Sequence, residues 1–180
     1  MEVCRLCLLF SESNSYSKLT DPYKCIVNSL IPEVNLDITI NPSICHQCSH
    51  LVNKLHEFKL ACFECQQQRK KQLSKPGCCQ TCLKSIEKQF IEDPPDLKSI
   101  LKFCLPEMDL HFIPDPIVCR KCLVRLQRLQ QLKASYLTVE EKLNSFVVDA
   151  KRPVDLRKLV HGIPDGKLEL LDANTYVDER

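Results

Sequence analysis

Apolar residues recur at helical spacing in two long stretches of this chain, and each stretch begins with two cysteines separated by two residues. Over residues 44–65, ICHQCSHLVNKLHEFKLACFEC, the apolar positions after Cys48 are Leu51, Leu55, Phe58, Cys62 and Cys65. Over 118–139, VCRKCLVRLQRLQQLKASYLTV, and just beyond, they are Leu129, Leu132, Tyr136, Val139, Leu143 and Phe146. Alternating steps of three and four predict a helix with one apolar seam, the pattern of a coiled coil rather than of a broad core-facing helix. Shorter helical patterns cover 18–30 (KLTDPYKCIVNSL) and 96–105 (DLKSILKFCL). Residues 35–40 and 109–113 alternate apolar with polar and read as short strands.

These elements come in the same order twice. The first half carries Cys4-x-x-Cys7 and Cys45-x-x-Cys48; the second carries Cys79-x-x-Cys82 and, after a nearly equal interval, Cys119-x-x-Cys122. The text between them matches too: SLIPEV at 29–34 answers CLPEM at 104–108, and NPSIC at 41–45 answers DPIVC at 115–119. An internal duplication of this kind sets the domain count. Each copy reads as a small α+β unit made of a knuckle, a helix, a strand, a second knuckle and a long helix. The copies span 1–68 and 78–148. The linker 69–77 belongs to a polar, basic stretch closed by Pro-Gly, and 149–180, without cysteine or sustained period, reads as a flexible tail or linker.

Composition changes this picture at one point, the thirteen cysteines in 180 residues. Hydrophobic content of 44% and charge content of 27% are ordinary. A net charge of +2 supplies no field that would draw nucleic acid or a membrane surface by itself. No stretch approaches the roughly 20 apolar residues of a membrane-spanning helix. The opening MEVCRLCLLF does not read as a secretory leader, having no basic flank, sustained apolar run or small-residue cleavage site. With an odd cysteine count, and eight of the thirteen in four Cys-x-x-Cys pairs, zinc is expected over disulfides.

Two residues between cysteines let a tight turn aim both sulfurs at one ion, and two such knuckles close a tetrahedral site. A closed site has no position open to water or substrate, so its metal is structural. The expected ligands are Cys4, Cys7, Cys45 and Cys48 for one zinc, and Cys79, Cys82, Cys119 and Cys122 for a second. A competing pairing of Cys62/Cys65 with Cys79/Cys82 would strand Cys119 and Cys122. The duplication serves as an internal control. His46, His50 and His56 face Arg120, Val124 and Gln130 in the other copy and are not expected as ligands. Cys62 and Cys65 face Tyr136 and Val139 and read as packing thiols. Cys25 and Cys104, in apolar surroundings, read as buried thiols.

The N-terminal Cys-Arg-x-Cys, the polar turn with proline before the second Cys-x-x-Cys, and the helix carrying Leu55 and Phe58 resemble a known family. It is the zinc-finger-associated domain (ZAD) of insect Cys2His2 transcription factors. The resemblance is good over 3–67 and looser over 78–146. It implies a treble-clef-like fold with one zinc on each of the two cysteine sets named above. It also implies dimerisation largely through the long helices and a nuclear role in contacts with other ZAD, transcription or chromatin proteins. The chain is then expected to be an interaction module, paired within or between chains, and not an enzyme. Two departures stand out: the position of Arg5 is held by Gln80 in the second copy, and such domains usually come singly. No Cys2His2 finger occurs in these residues; fingers are expected either beyond Arg180 in a longer parent or not at all in a stand-alone adaptor.

Two other classes fit less well. Arg120, Lys121, Arg125, Arg128 and Lys133 form a basic face beside the last knuckle that could contact nucleic acid, but no aromatics interleave with them as a stacking platform requires. A thiol oxidoreductase normally carries a single Cys-x-x-Cys on a βαβ scaffold. Here the pairs come in matched sets, with no glycine-rich phosphate loop and no carboxylate–histidine constellation.

Overall fold

A computed structural model describes residues 2–11, 15–71, 77–86, 91–92, 96–110, 116–150 and 153–157. Along the chain run β1 (Glu2–Val3), β2 (Phe10–Ser11), β3 (Tyr16–Lys18), α1 (Asp21–Leu30), β4 (Ser43–Cys45) and α2 (His46–Lys71). The second repeat adds β5 (Ile91–Glu92), α3 (Leu97–Cys104), β6 (Val118–Cys119) and α4 (Arg120–Ala150). The strands form antiparallel two-stranded ribbons, β1–β2, β3–β4 and β5–β6. The architecture is therefore α-helices with small antiparallel ribbons, compatible with a small α+β zinc-binding unit. Matching registers mark the duplication: Tyr16 opposes Cys45 in β3–β4, and Ile91 opposes Cys119 in β5–β6.

Several elements differ from the sequence expectation. α1 begins at Asp21, with Thr20 at the N-cap position and Pro22 in the first turn, where its missing N–H costs nothing. Lys18, expected in that helix, lies in β3 opposite Ser43. Residues 36–38 form a 3-10 turn and not a strand, because the Asn35 side chain accepts the Asp37 N–H at 3.1 Å and closes the chain on itself. Strand pairing falls instead on β4, directly before the second knuckle. Of the expected strand over 109–113, residues 109 and 110 are irregular and the remainder lie outside the described residues. α3 agrees with its pattern to within one residue.

The two long helices bury more than a seam. α2 buries Val52, Leu55, Phe58, Lys59, Cys62 and Gln66, while the expected Leu51 and Cys65 are only half-buried. α4 buries Leu123, Leu126 and Lys133 besides the expected Leu129, Leu132, Tyr136, Val139 and Leu143; the Phe146 side chain lies outside the described residues. The cause is a double duty. Each long helix packs along its own repeat's short helix, α1 on α2 and α3 on α4, and over a shorter stretch α2 meets α4. A narrow stripe cannot serve two neighbours, so the coiled-coil expectation gives way to a broad face. α2 also runs three residues past the expected boundary at 68.

One hydrophobic core draws on both repeats, from Leu6, Leu30 and Phe58 to Leu101, Leu126 and Leu132. A smaller cluster of Val3, Val139, Leu143 and Leu156 ties β1 to the far half of α4. Val154 joins it through backbone bonds with Ile38 (2.8 Å) and Ile40 (3.0 Å), so 153–157 pack on the first repeat. Residues 158–180, the rest of the expected tail, lie outside the described residues.

Polar contacts between the repeats are reciprocal. Lys59 and Lys133 occupy the same position, eleven residues after the last cysteine of their knuckles. Lys59 donates to the Ser29 carbonyl at the end of α1 and to Glu107 of the other repeat at 2.6 Å. Lys133 donates to the equivalent Phe103 carbonyl at 3.1 Å and pairs with Glu33 of the other repeat at 3.5 Å. Gln66 likewise reaches the Asp109 carbonyl at 3.5 Å, while its counterpart Glu140 accepts the Asn35 N–H at 3.0 Å. Residue i of one half thus meets residue j of the other, and j meets i, which is the signature of a two-fold interface.

Candidate metal centres

Each knuckle is built from the same backbone bonds. In the first, Cys4 N–H donates to Leu9 O at 2.9 Å and Leu8 N–H to Cys4 O at 2.8 Å. In the second, Cys79 N–H donates to Lys84 O at 2.9 Å and Leu83 N–H to Cys79 O at 3.0 Å. The turn that brings the two sulfurs together needs a left-handed residue after the second cysteine, and Leu8 (φ 58°) and Leu83 (φ 59°) supply it. The other two ligands of each set come from a strand end and the first turn of a long helix: Cys45 ends β4 and Cys48 lies in α2; Cys119 ends β6 and Cys122 lies in α4.

The eight cysteines named from the sequence gather into the two expected sets, and within each set all sulfurs lie within 4.8 Å of one another. Cys7 and Cys45 are 3.9 Å apart at sulfur, as are Cys82 and Cys119. A tetrahedron with metal–sulfur bonds of about 2.3 Å has edges of about 3.8 Å, whereas a disulfide would bring two sulfurs to about 2.05 Å. Each set therefore has the donors and the dimensions to hold a metal ion such as zinc. Backbone N–H groups point at sulfur in both, from Cys45 to Cys4 (3.4 Å) and from Cys119 to Cys79 (3.3 Å), as suits a thiolate.

The thiols share their protons unevenly. Hydrogen bonds from Cys4, Cys48 and Cys7 hold Cys45 well below the ordinary thiol range, and Cys48 is pushed up by the same network. In the second set a hydrogen bond from Cys122 brings Cys79 down to about 4, while burial pushes Cys82 up to about 11. Cys4 is lowered too, so each set holds at least one sulfur ready as thiolate, and a divalent cation entering it would displace the remaining protons. The site's chemistry is retention: all four corners are protein sulfur.

The other cysteines and the histidines sit elsewhere. Cys62 is fully buried and Cys65 half-buried on α2, and Cys104 donates to Leu126 O at 3.4 Å from the core. Cys25 overturns its expectation: it is exposed, because α1 turns Val27 and Leu30 inward. His56 Nδ1 lies 3.0 Å from Ser29 Oγ, and His46 stacks on His50 with centroids 6.3 Å apart. The basic face is thinner than expected. Lys133 is buried and paired with Glu33, and Arg125 lies over the Phe58 ring at 5.7 Å. Arg120, Lys121 and Arg125 remain exposed.

Several contacts around the sites escaped the sequence reading. Arg5 is fully buried between the Asn35 carbonyl (2.8 Å) and the Glu140 carboxylate from α4. The Arg5-to-Gln80 departure then finds its answer in Arg69 of α2, which donates to the Gln80 side chain and to Cys79 O at 3.2 Å. One corner has the guanidinium on the knuckle and the other has it on the helix. Tyr136, fourteen residues after Cys122, is buried beside the first cysteine set, and Cys62, fourteen after Cys48, is buried near the second. The signal that could have found these pairs is the repeat itself, which aligns Lys59 with Lys133 and Cys62 with Tyr136 at positions equidistant from the knuckles.

A groove of about 680 Å³ runs between the first knuckle, α2 and α4, with Leu9, Leu51 and Phe58 along its apolar walls and Lys54, Arg125 and Arg128 among its polar ones. Among the described residues no helix is long and apolar enough to cross a membrane. Comparison of the chain with protein-family models, with curated proteins and with solved structures finds no match.

Proposed function

We propose that this chain is a protein-interaction module in which two treble-clef-like units, each closed by one structural zinc, pair with each other within the chain. The observation that carries the reading is the pairing of two Cys4 sets with one shared core: four thiolates per site leave no coordination position for catalysis, so the metal's work is to hold the fold. Structural zinc contributes apparent free energies of roughly 10–16 kcal/mol in small finger peptides, enough to decide whether units of this size fold at all. The reciprocal Lys59–Glu107 and Lys133–Glu33 contacts support internal pairing. The resemblance to the ZAD family supplies the setting, a nuclear protein acting in transcription or chromatin through contacts with other proteins.

Native mass spectrometry tests the module. A 20.8 kDa monomer carrying two zinc ions is expected, and stripping them with a strong chelator should abolish most helical circular dichroism. Fewer than two ions, or a spectrum unchanged after complete stripping, would overturn the structural-zinc reading. A dimer at low micromolar concentration would overturn internal pairing alone, and a tagged chain excluded from the nucleus would remove only the setting.

A further inference from the structure

Tyr136 stands out among the groups that the metal sites leave unexplained. It sits on α4, in the second repeat, yet it lines the same groove as Cys7 and Cys48 of the first. Only 3% of it is exposed, and its hydroxyl makes no well-aligned hydrogen bond among the described residues. A buried phenol left in that state costs about 1–3 kcal/mol, so an acceptor for its proton is to be expected. Beside its burial, the groups that act on it are Cys48 first, by charge and by hydrogen bond, and then Cys4 and Cys7. As thiols these sulfurs are weak acceptors; as metal-bound thiolates they are good ones.

We propose that the Tyr136 hydroxyl donates a hydrogen bond to the Cys48 thiolate of the metal-loaded first site, so that filling this site and docking the second repeat against it stabilise each other. The inference rests on the structural-metal reading above. Groups that hydrogen-bond metal ligands typically change metal affinity by 10–100-fold when removed. Linkage makes the effect mutual: whatever docking adds to metal affinity, metal adds to docking. The two sites are unequal in this respect. At the matching position the second site has Cys62, a poor donor, whose thiol burial pushes up to about 12. Its own hydroxyl neighbour, Thr81, lies 3.3 Å from Cys79 sulfur and belongs to the same knuckle. The second site's bond from the other repeat, Arg69 to the Cys79 carbonyl, reaches the backbone and not a sulfur.

The test uses the full chain loaded with cobalt(II), whose sulfur-to-metal charge-transfer absorption reports hydrogen bonding at thiolate. Binding of two equivalents by the wild type checks the metal reading by itself, whatever the variants do. Tyr136→Phe should still bind two, but with the charge-transfer band of one equivalent displaced and that equivalent lost to a competing chelator at 10–100-fold lower chelator concentration. Cys62→Ala should leave the same equivalent as in the wild type. An unchanged spectrum and release in Tyr136→Phe, or equal weakening of both equivalents, would overturn the proposal. Global replacement of tyrosine by 3-fluorotyrosine, a stronger donor of nearly the same shape, covers the case of a Phe variant that does not fold. It should displace the band in the opposite direction, and no displacement would again overturn the coupling. Of the other three tyrosines, Tyr16 and Tyr23 donate to Leu9 O and Ser49 O and not to sulfur, and a Tyr176→Phe background takes the last out of the readout.

Discussion

Leu8 and Leu83 do work usually left to glycine. A left-handed conformation costs an L-residue about 1–2 kcal/mol, and only a turn held on all sides keeps it. Both knuckles are held so, by backbone bonds and by sulfurs gathered on one point. The cost depends on side-chain shape, which gives a sharp test at the half-buried Leu83. Asparagine tolerates this conformation and should change stability by less than about 0.5 kcal/mol, whereas β-branched valine should lose about 1–2 kcal/mol more. Urea unfolding of the zinc-loaded protein measures both. Arg5 and Glu140 make the second residue-scale case. The pair is buried, and among the described residues two of the three guanidinium nitrogens of Arg5 have no partner, so its net worth is small while its rupture is expensive. Arg5→Met should cost about 3–5 kcal/mol by leaving Glu140 buried alone, and adding Glu140→Leu should recover most of it. A double-mutant cycle in urea gives the coupling directly. At this scale the ligands were legible and their supports were not. Cys-x-x-Cys is a local turn whose chemistry is written in four letters; the Arg5 partner is 135 residues away, and a left-handed leucine carries no mark of its conformation.

The short helices end on borrowed charge. α1 has no basic residue in its last turn, and its C-terminal carbonyl at Ser29 is answered by Lys59 from α2. α3 carries Lys102 in its own last turn, yet its carbonyl at Phe103 is likewise answered from the long helix, by Lys133 of α4. A cation there satisfies a carbonyl that the helix cannot and sits at the negative end of its dipole. Each ammonium then turns to an acid of the other repeat, so each lysine ties a helix end to the contact between repeats. The lysines are 6% and 2% exposed at the side chain, and their acids Glu107 and Glu33 are 54% and 48% exposed. That asymmetry sets the expected ranking. Lys59→Met and Lys133→Met each strand a carbonyl and should cost about 1–3 kcal/mol. Glu107→Gln and Glu33→Gln leave the acid's place to water and should cost less than about 1 kcal/mol. If the glutamines proved the more damaging, the lysines would be partners of the acids first and helix caps second. These elements also show where periodicity misleads. Counting apolar steps of three and four found both long helices but missed the lysines on their buried faces, because a lysine is scored polar whatever its ammonium meets. The 3-10 turn at 36–38 was read as strand because alternating burial, with Leu36 in and Asp37 out, has the same pattern in both.

On the scale of the whole molecule the chain is a two-fold object made from unequal halves, and the inequality says which halves should meet. The duplication was legible because the knuckles anchor its register. The partner of each seam was not, since either repeat could face a copy of itself. Glu33 and Lys59 lie on the same repeat, so two copies of residues 1–77 could set Lys59 of one against Glu33 of the other, twice over, in the geometry of Lys59–Glu107. The corners argue otherwise. Arg5 would meet Gln66 in place of Glu140, and Arg69, which reaches Gln80 in the intact chain, would meet a second Arg5. Two guanidiniums would then crowd each such corner, where the natural pairing puts one against an acid and one against an amide. The isolated first repeat, zinc-loaded, is therefore expected to associate weakly, while the intact chain gains an effective concentration in the millimolar range from its connection. Arg5→Gln, which copies the second repeat's residue into the first, should move the two in opposite directions. It relieves the repulsion in the 1–77 homodimer and should tighten it; in the full chain it leaves Glu140 without its cation and should lower stability by about 3 kcal/mol or more. Sedimentation equilibrium of the fragment and urea unfolding of the full chain read the two signs. Weakening in both would mean that the corners do not choose the partner, and that connection alone keeps the halves together.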